Sequence, residues 1–165
     1  MTRRTTALAA ALSLLPLGQP LLLGSTTALA TAAVVFSTQA AHAQSAGDYL
    51  NRGVTKYRLR DYQGAIADYT KAIEISPQSA DAYNNRGYAK SNLKDFQGAI
   101  ADYNKAIAIN PQYALAYTNR GNAKGIGLGD DQGACADLKK AASLGHQSAA
   151  QWLNSEGGAW CRNMR

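Results

Sequence analysis

Four kinds of residue in this chain could do chemistry, and each is judged by what stands near it. Cys135 and His146 could form a nucleophilic dyad, the imidazole drawing off the thiol proton. No third residue stands ready to orient the ring, and Cys135 takes an inward-facing position that Ile66 and Ile100 hold in related stretches. His146 is the only histidine beyond residue 42, so no multi-histidine metal site can form there. Gly125, Gly127 and Gly129 suggest a phosphate cradle, yet no strand pattern precedes them and no Gly-Lys-Ser/Thr follows. Carboxylates are dispersed along the chain rather than gathered, so no convergent catalytic site is expected, nor a cofactor or metal. What recurs instead is a pair of neighbours, asparagine then arginine, at Asn51-Arg52, Asn85-Arg86 and Asn119-Arg120. A guanidinium fork grips a carboxylate through two parallel bonds. A carboxamide offers both donors and an acceptor to a peptide bond.

The elements that place these residues are repeated. Gly53–Pro77 and Gly87–Pro111 align without gaps and are identical at 16 of 25 positions, including all of QGAIADY. A more eroded copy begins at Gly121. A fixed period of 34 residues marks one supersecondary unit that buries its apolar face only by stacking on neighbours. Within a copy, Ala65, Ile66, Tyr69, Ala72 and Ile73 form a stripe on one helix face. Asp61 stands at its N-cap position and Pro77 ends it. Ser45 and Ser79 precede another helical pattern, so each copy is a helix, a tight turn and a second helix. The third copy is one residue longer within KGIGLGDD, which predicts a frayed first helix and a lengthened turn. Trp152 lies 35 residues after Tyr117, in register, so a final helix should cap the array.

These residues resemble the tetratricopeptide repeat family. Its aromatic-x-x-large-Gly, Ala-x3-aromatic and closing proline appear as Tyr83 to Gly87, Ala99-x3-Tyr103 and Pro111, and likewise as Tyr49 to Gly53, Ala65-x3-Tyr69 and Pro77. The chain departs from the pattern where Arg52, Arg86 and Arg120 replace the usual leucine, and where Lys56, Lys90 and Lys124 replace a tyrosine. The resemblance implies an all-α, right-handed solenoid of three helix-turn-helix repeats with a C-terminal capping helix. Residues 44–156 should form the repeat domain, with repeats at about 46–79, 80–113 and 114–148, a capping helix at 148–156, and a loop-like tail at 157–165.

In an antiparallel hairpin, residues equidistant from the turn face each other. Arg52 then faces Asp68, Arg86 faces Asp102, and Arg120 meets Asp137 despite the inserted residue. Such pairs fix packing; the alternative is an anion-binding arginine row. In the family the first helices of successive repeats line a concave surface, and some similar members use an asparagine ladder to hold an extended peptide. Asn51, Asn85, Asn119 and Asn154 would form that ladder here, or they bond neighbouring helices and water. Leu50, Val54 and Tyr57, then Asn84 and Tyr88, then Thr118 and Asn122 flank it, grading from apolar at the first repeat to polar at the third. Leu50 and its neighbours would otherwise be covered by the N-terminal segment or a second subunit. The function implied is a non-catalytic scaffold for a protein or peptide ligand.

Residues 1–43 differ in kind. After Arg3 and Arg4 no charged residue appears until Asp48, and Ala41-His42-Ala43 fits a cleavage site that would leave Gln44 first. The expectation is a cleaved export signal and a periplasm or equivalent lumen; the rival is an uncleaved anchor, making the protein a membrane-tethered organiser or assembly factor, with membrane contact only in that case. Losing Arg3 and Arg4 lowers the formal charge from +6 to +4, with both signs interspersed, a poor footprint for nucleic acid. In an oxidising compartment Cys135 and Cys161, the only cysteines, would pair and tie the tail over the last helices; the alternative is two free thiols.

Overall fold

The computed structural model describes residues 44–163. The expected leader at 1–43, with its cleavage point after Ala43, lies outside them. Among the described residues the chain is all-α: α1 Ala46–Arg58, α2 Tyr62–Ile75, α3 Ala80–Asn92, α4 Phe96–Ile109, α5 Ala114–Asn122, α6 Asp131–Ser143, α7 Gln147–Asn154 and α8 Ala159–Asn163. A π-helical turn, Ala123–Gly127, extends α5, and a 3-10 turn, Glu156–Gly158, precedes α8. Each helix packs on the next, so α1/α2, α3/α4 and α5/α6 form three antiparallel hairpins stacked as a right-handed solenoid, with α7 capping the last. No helix among the described residues is long and apolar enough to cross a membrane.

Local chemistry sets the boundaries. Ser45 caps α1 through a reciprocal box: its hydroxyl accepts from the Asp48 N–H and the Asp48 carboxylate accepts from the Ser45 N–H. Asp61, Asp95 and Asp130 cap α2, α4 and α6, each accepting from an N–H three residues on, at Gly64, Gly98 and Gly133. The turn before each cap is the same in all three hairpins. Arg60, Lys94 and Gly129 occupy it at φ of 62°, 63° and 69°, in the left-handed region.

That sameness corrects the expectation for the third repeat. Its turn is not lengthened and its first helix does not fray. The N–H of the capping aspartate donates to Lys56 in the first repeat and to Lys90 in the second, five residues back; in the third, Asp130 donates to Lys124, six back. The extra residue is absorbed inside the helix, because a π-type hydrogen bond spans one residue more than an α-helical one. Gly127 permits it there, since a methyl group at that point would strike the Phe96 ring.

The cores follow the repeats. Ala65, Tyr69 and Ala89 form the first, joined by Leu50, Val54, Tyr57 and Ile66; Ala99, Tyr103 and Ala123 form the second. In both, the next repeat supplies one alanine that closes the core. Leu50 is thus packed within its own repeat. Leu138, Ala141 and Ala149 form the third core, and Cys135, Leu153 and Cys161 a fourth cluster beneath α8.

The C-terminal end corrects two boundaries. The capping helix stops at Asn154 rather than 156, because Ser155 turns extended and its hydroxyl donates to the Trp152 carbonyl. The stretch from Gly157 is not a loop within the described residues: it forms the 3-10 turn and α8. Cys161 is buried there, joined to Cys135 with Cα atoms 5.5 Å apart, and Arg162 donates to the Leu153 carbonyl.

Candidate functional site

The recurrent arginines are structural. Each forks onto the aspartate predicted for it: Arg52 donates to Asp68 at 2.8 and 2.6 Å, Arg86 to Asp102 at 2.9 and 2.7 Å, and Arg120 to Asp137 at 2.8 and 2.5 Å. The three carboxylates are buried. A lysine four residues after each arginine completes a triad, with Lys56, Lys90 and Lys124 at 2.9, 2.8 and 2.9 Å. The fork holds the Asp68 carboxyl below the usual range, and Asp102 raises the Arg86 guanidinium. Each guanidinium also lies over the ring three residues before it, Tyr49, Tyr83 or Tyr117. The remaining nitrogen reaches backwards: Arg86 donates to Thr70 and Arg120 to Asn104, equivalent positions on the preceding repeat. Arg52 has no preceding repeat and donates to Gln44; its side chain is 43 % exposed against 18 % for the other two. These arginines therefore weld hairpin to hairpin.

The asparagines divide. Asn51 and Asn154, at the two ends, are exposed. Asn119 donates to Asn84 at 3.0 Å, and Asn84 donates to Asn85 at 3.4 Å, linking α3 to α5. Asn84, named above as a ligand-facing residue, is 2 % exposed and joins the two helices instead. Its burial follows from its place directly under α5, where a carboxamide left without partners would cost about 1–3 kcal/mol.

Further along the inner helices the side chains open into space. Tyr57 stacks against Tyr62 and Tyr88 with ring centroids 5.4 and 5.2 Å apart, and Asn92 donates to the Tyr57 hydroxyl. Burial, then Tyr88, pushes the Tyr57 phenol up to about 12. Tyr88 borders a concavity of about 140 Å³ together with Asn119, Asn122 and Ile126. Asn122 and Ile126 also border a second cavity of about 440 Å³, between α5, α6 and α7, walled by Trp152 and Trp160. The larger apolar space thus lies at the third repeat, not at the first as the gradient of residue types predicts, because Leu50 and Val54 are taken up by the first core.

Ile126, Leu138 and Trp160 were not among the expected site residues. The replacement of Tyr69 and Tyr103 by Leu138 was the legible signal for the cavity. The dyad considered for Cys135 and His146 is not formed: the sulfur is bonded to Cys161, and the His146 Nδ1 shares a 3.1 Å hydrogen bond with Thr118. No group of three His, Cys, Asp or Glu among the described residues is placed to hold a metal.

Comparison with known proteins bears on this arrangement. A tetratricopeptide repeat family model matches residues 80–113 and a TPR repeat model matches residues 53–94. The first TPR of Spaghetti (RPAP3), bound to the HSP90 peptide SRMEEVD, is 29% identical, covering 68% of this chain and 95% of that one with a TM-score of 0.60. The OM64 TPR domain of Arabidopsis is 27% identical, with 72% and 91% covered and a TM-score of 0.62. The TPR2B domain of yeast Sti1, from a pHsp70 complex, is 27% identical, with 73% and 98% covered and a TM-score of 0.64. A comparison with curated protein sequences gave no match.

Proposed function

Since the chain belongs to the tetratricopeptide repeat family, we propose that it is a non-catalytic scaffold, working outside the cytoplasm, that holds a segment of a partner protein along its inner helices. The observation that carries this reading is the pair of adjoining concavities, sharing Asn122 and Ile126, that run from Tyr88 to Trp160, with exposed carboxamide, aromatic and apolar side chains side by side. Such a mixture suits an extended peptide: amides meet its backbone and cavities take its side chains. The HSP90 and Hsp70 complexes of the similar structures support it, since those repeats are seen with peptide or protein partners.

Export is supported by the uncharged run after Arg4 and the small residues at Ala41 and Ala43, and by the pairing of Cys135 with Cys161. Intact mass of protein from its host lacking residues 1–43, together with no titratable thiol, is the expected result. A retained leader would favour the membrane-tethered organiser.

Peptides selected from a random library against the full chain test the groove. Tyr88→Ala and Asn122→Ala should each weaken the selected peptides at least fivefold, while Lys105→Ala on outer helix α4 should not. Peptides indifferent to both inner-face changes would sink the assignment.

A further inference from the structure

The large cavity has two causes that emerge on aligning the repeats. In the first two hairpins a tyrosine ring rests against the inner-helix glycine: a methyl group on Gly53 would come within 2.5 Å of Tyr69, and one on Gly87 within 2.8 Å of Tyr103. The third hairpin keeps the glycine, Gly121, but offers Leu138, so the volume of a ring is missing. The second cause is the short cap. Ala89 and Ala123 seal the preceding cores, and the residue in register with them, Gly158, falls beyond the end of α7 in the 3-10 turn. A slot of about 440 Å³ remains where a longer capping helix would have packed.

Its lining tells what fits. Trp152 and Trp160 stand edge to face, ring centroids 6.4 Å apart at 88°, and are 37 % and 43 % exposed. Asp131 is the only ionisable side chain among the described residues lining the slot, at a position where the other hairpins carry Tyr62 and Phe96. Its neighbour Asp130 is engaged as an N-cap, whereas among the described residues no hydrogen bond or ion pair engages the Asp131 carboxylate. A solvated carboxylate on a mainly apolar, tryptophan-walled slot, whose other polar residues Thr118, Asn122 and Ser148 are uncharged, complements a side chain with an apolar stem and a cationic head. A tyrosine would refill the missing ring volume but leave that charge without a counterpart.

From this complementarity we infer that the slot receives an arginine or lysine side chain of the bound segment. The inference rests on the peptide-groove reading above and specifies the chemistry of the partner: the stem lies between Leu138 and the two tryptophans, and the head meets Asp131. The indole faces add attraction that an aliphatic side chain of equal length would not gain.

Trp152 and Trp160 are the chain's two tryptophans, so tryptophan emission, excited selectively over the tyrosines, reports on this slot alone. The full chain is titrated with labelled Gly-Leu-Xaa-Leu-Gly peptides, where Xaa is arginine, lysine, norleucine, tyrosine or glutamate, following polarisation and tryptophan emission together. The arginine and lysine peptides should bind at least fivefold more tightly than the norleucine peptide and shift the emission. Asp131→Asn should reduce that preference to within twofold. Leu138→Tyr should abolish the emission shift while the thermal transition is kept or raised, which separates a blocked slot from a misfolded chain. Equal binding of norleucine or tyrosine peptides, or a preference untouched by Asp131→Asn, overturns the inference. Peptides that bind by polarisation without moving the emission overturn it and leave the groove standing; if none binds, both readings fall.

Discussion

In the second repeat the Tyr103 ring rests on Gly87, and Ala123 of the following repeat closes over it; in the third, Leu138 stands beside Gly121, Ala149 of α7 packs on it, and the residue in register with Ala123 is Gly158, beyond that helix. Yet the Arg-Asp-Lys triad is reproduced in both, with the fork distances matching within 0.2 Å. The difference separates two kinds of repeat position. Positions held by short-range ion geometry inside one hairpin are kept at the array's end, because their partners come from the same hairpin. Positions whose role is to fill a neighbour's volume change there, because that neighbour is short. The last repeat substitutes a covalent tie, Cys135 to Cys161, for the packing it lacks.

The sharpest way to break this comparison is to remove the triad acids. Asp102→Ala and Asp137→Ala should each cost about 3–5 kcal/mol in urea unfolding, since each strands two cations between helices. Asp68→Ala should cost less, because Arg52 keeps more water. An Asp137 variant close to wild type would show that the triad is not a shared skeleton. Next in size is the covalent tie. Cys161→Ser should lose about 3 kcal/mol in the absence of reductant, the scale expected for closing a loop of this length. Faster hydrogen exchange should then be confined to α6, α7 and α8. Loss of protection spread evenly over all helices would refute a role local to the third repeat.

High pH should distinguish the regions in the opposite sense. Burial raises Tyr69, with Asp68 adding, to about 12 in the folded chain. A tyrosine raised in this way stabilises fully below its unfolded value near 10, and the contribution, on the order of 2 kcal/mol, is lost as pH rises through 12. Tyr57 behaves alike, and the third hairpin has Leu138 instead. Alkaline titration followed by phenolate absorbance and hydrogen exchange should loosen the first two repeats before the third; simultaneous loosening would contradict this. The smallest effect concerns the turns. Lys94→Gly should stabilise by about 1 kcal/mol and Gly129→Ala destabilise by a similar amount, because only glycine takes positive φ without strain. Thermal melts giving the opposite signs would rule out turn strain as the difference.

The scaffold was legible in the sequence because it is periodic. Arg52 and Asp68, sixteen residues apart and symmetric about the Arg60 turn, are paired by hairpin geometry alone. Cys135 could be placed on an inward face for the same reason, by its register with Ile66 and Ile100. The lysines of the triads were visible only as departures from a pattern; their spacing of four from each arginine on one helix face was the overlooked clue. Asn84 and Asn119 looked like ligand contacts because side-chain type does not reveal whether the next helix has already engaged a carboxamide. The slot at Trp152 was least accessible, since it arises from what Leu138 and the truncated cap fail to fill. Residue patterns record presence more readily than absence.

The π turn at Ala123–Gly127 has a consequence for how such a gene can vary. Ordinarily surface loops take up changes in chain length and helices resist them. Here the reverse arrangement holds: the turn from Leu128 to Asp130 keeps the form of its counterparts, while the extra residue is lodged a few positions upstream, in the helix. In-frame loss of a single codon between Lys124 and Leu128 should restore the five-residue spacing of the first two repeats and leave all later side chains facing as before, so this interval, rather than the connecting turns, is where the coding sequence can be shortened at little cost to the array.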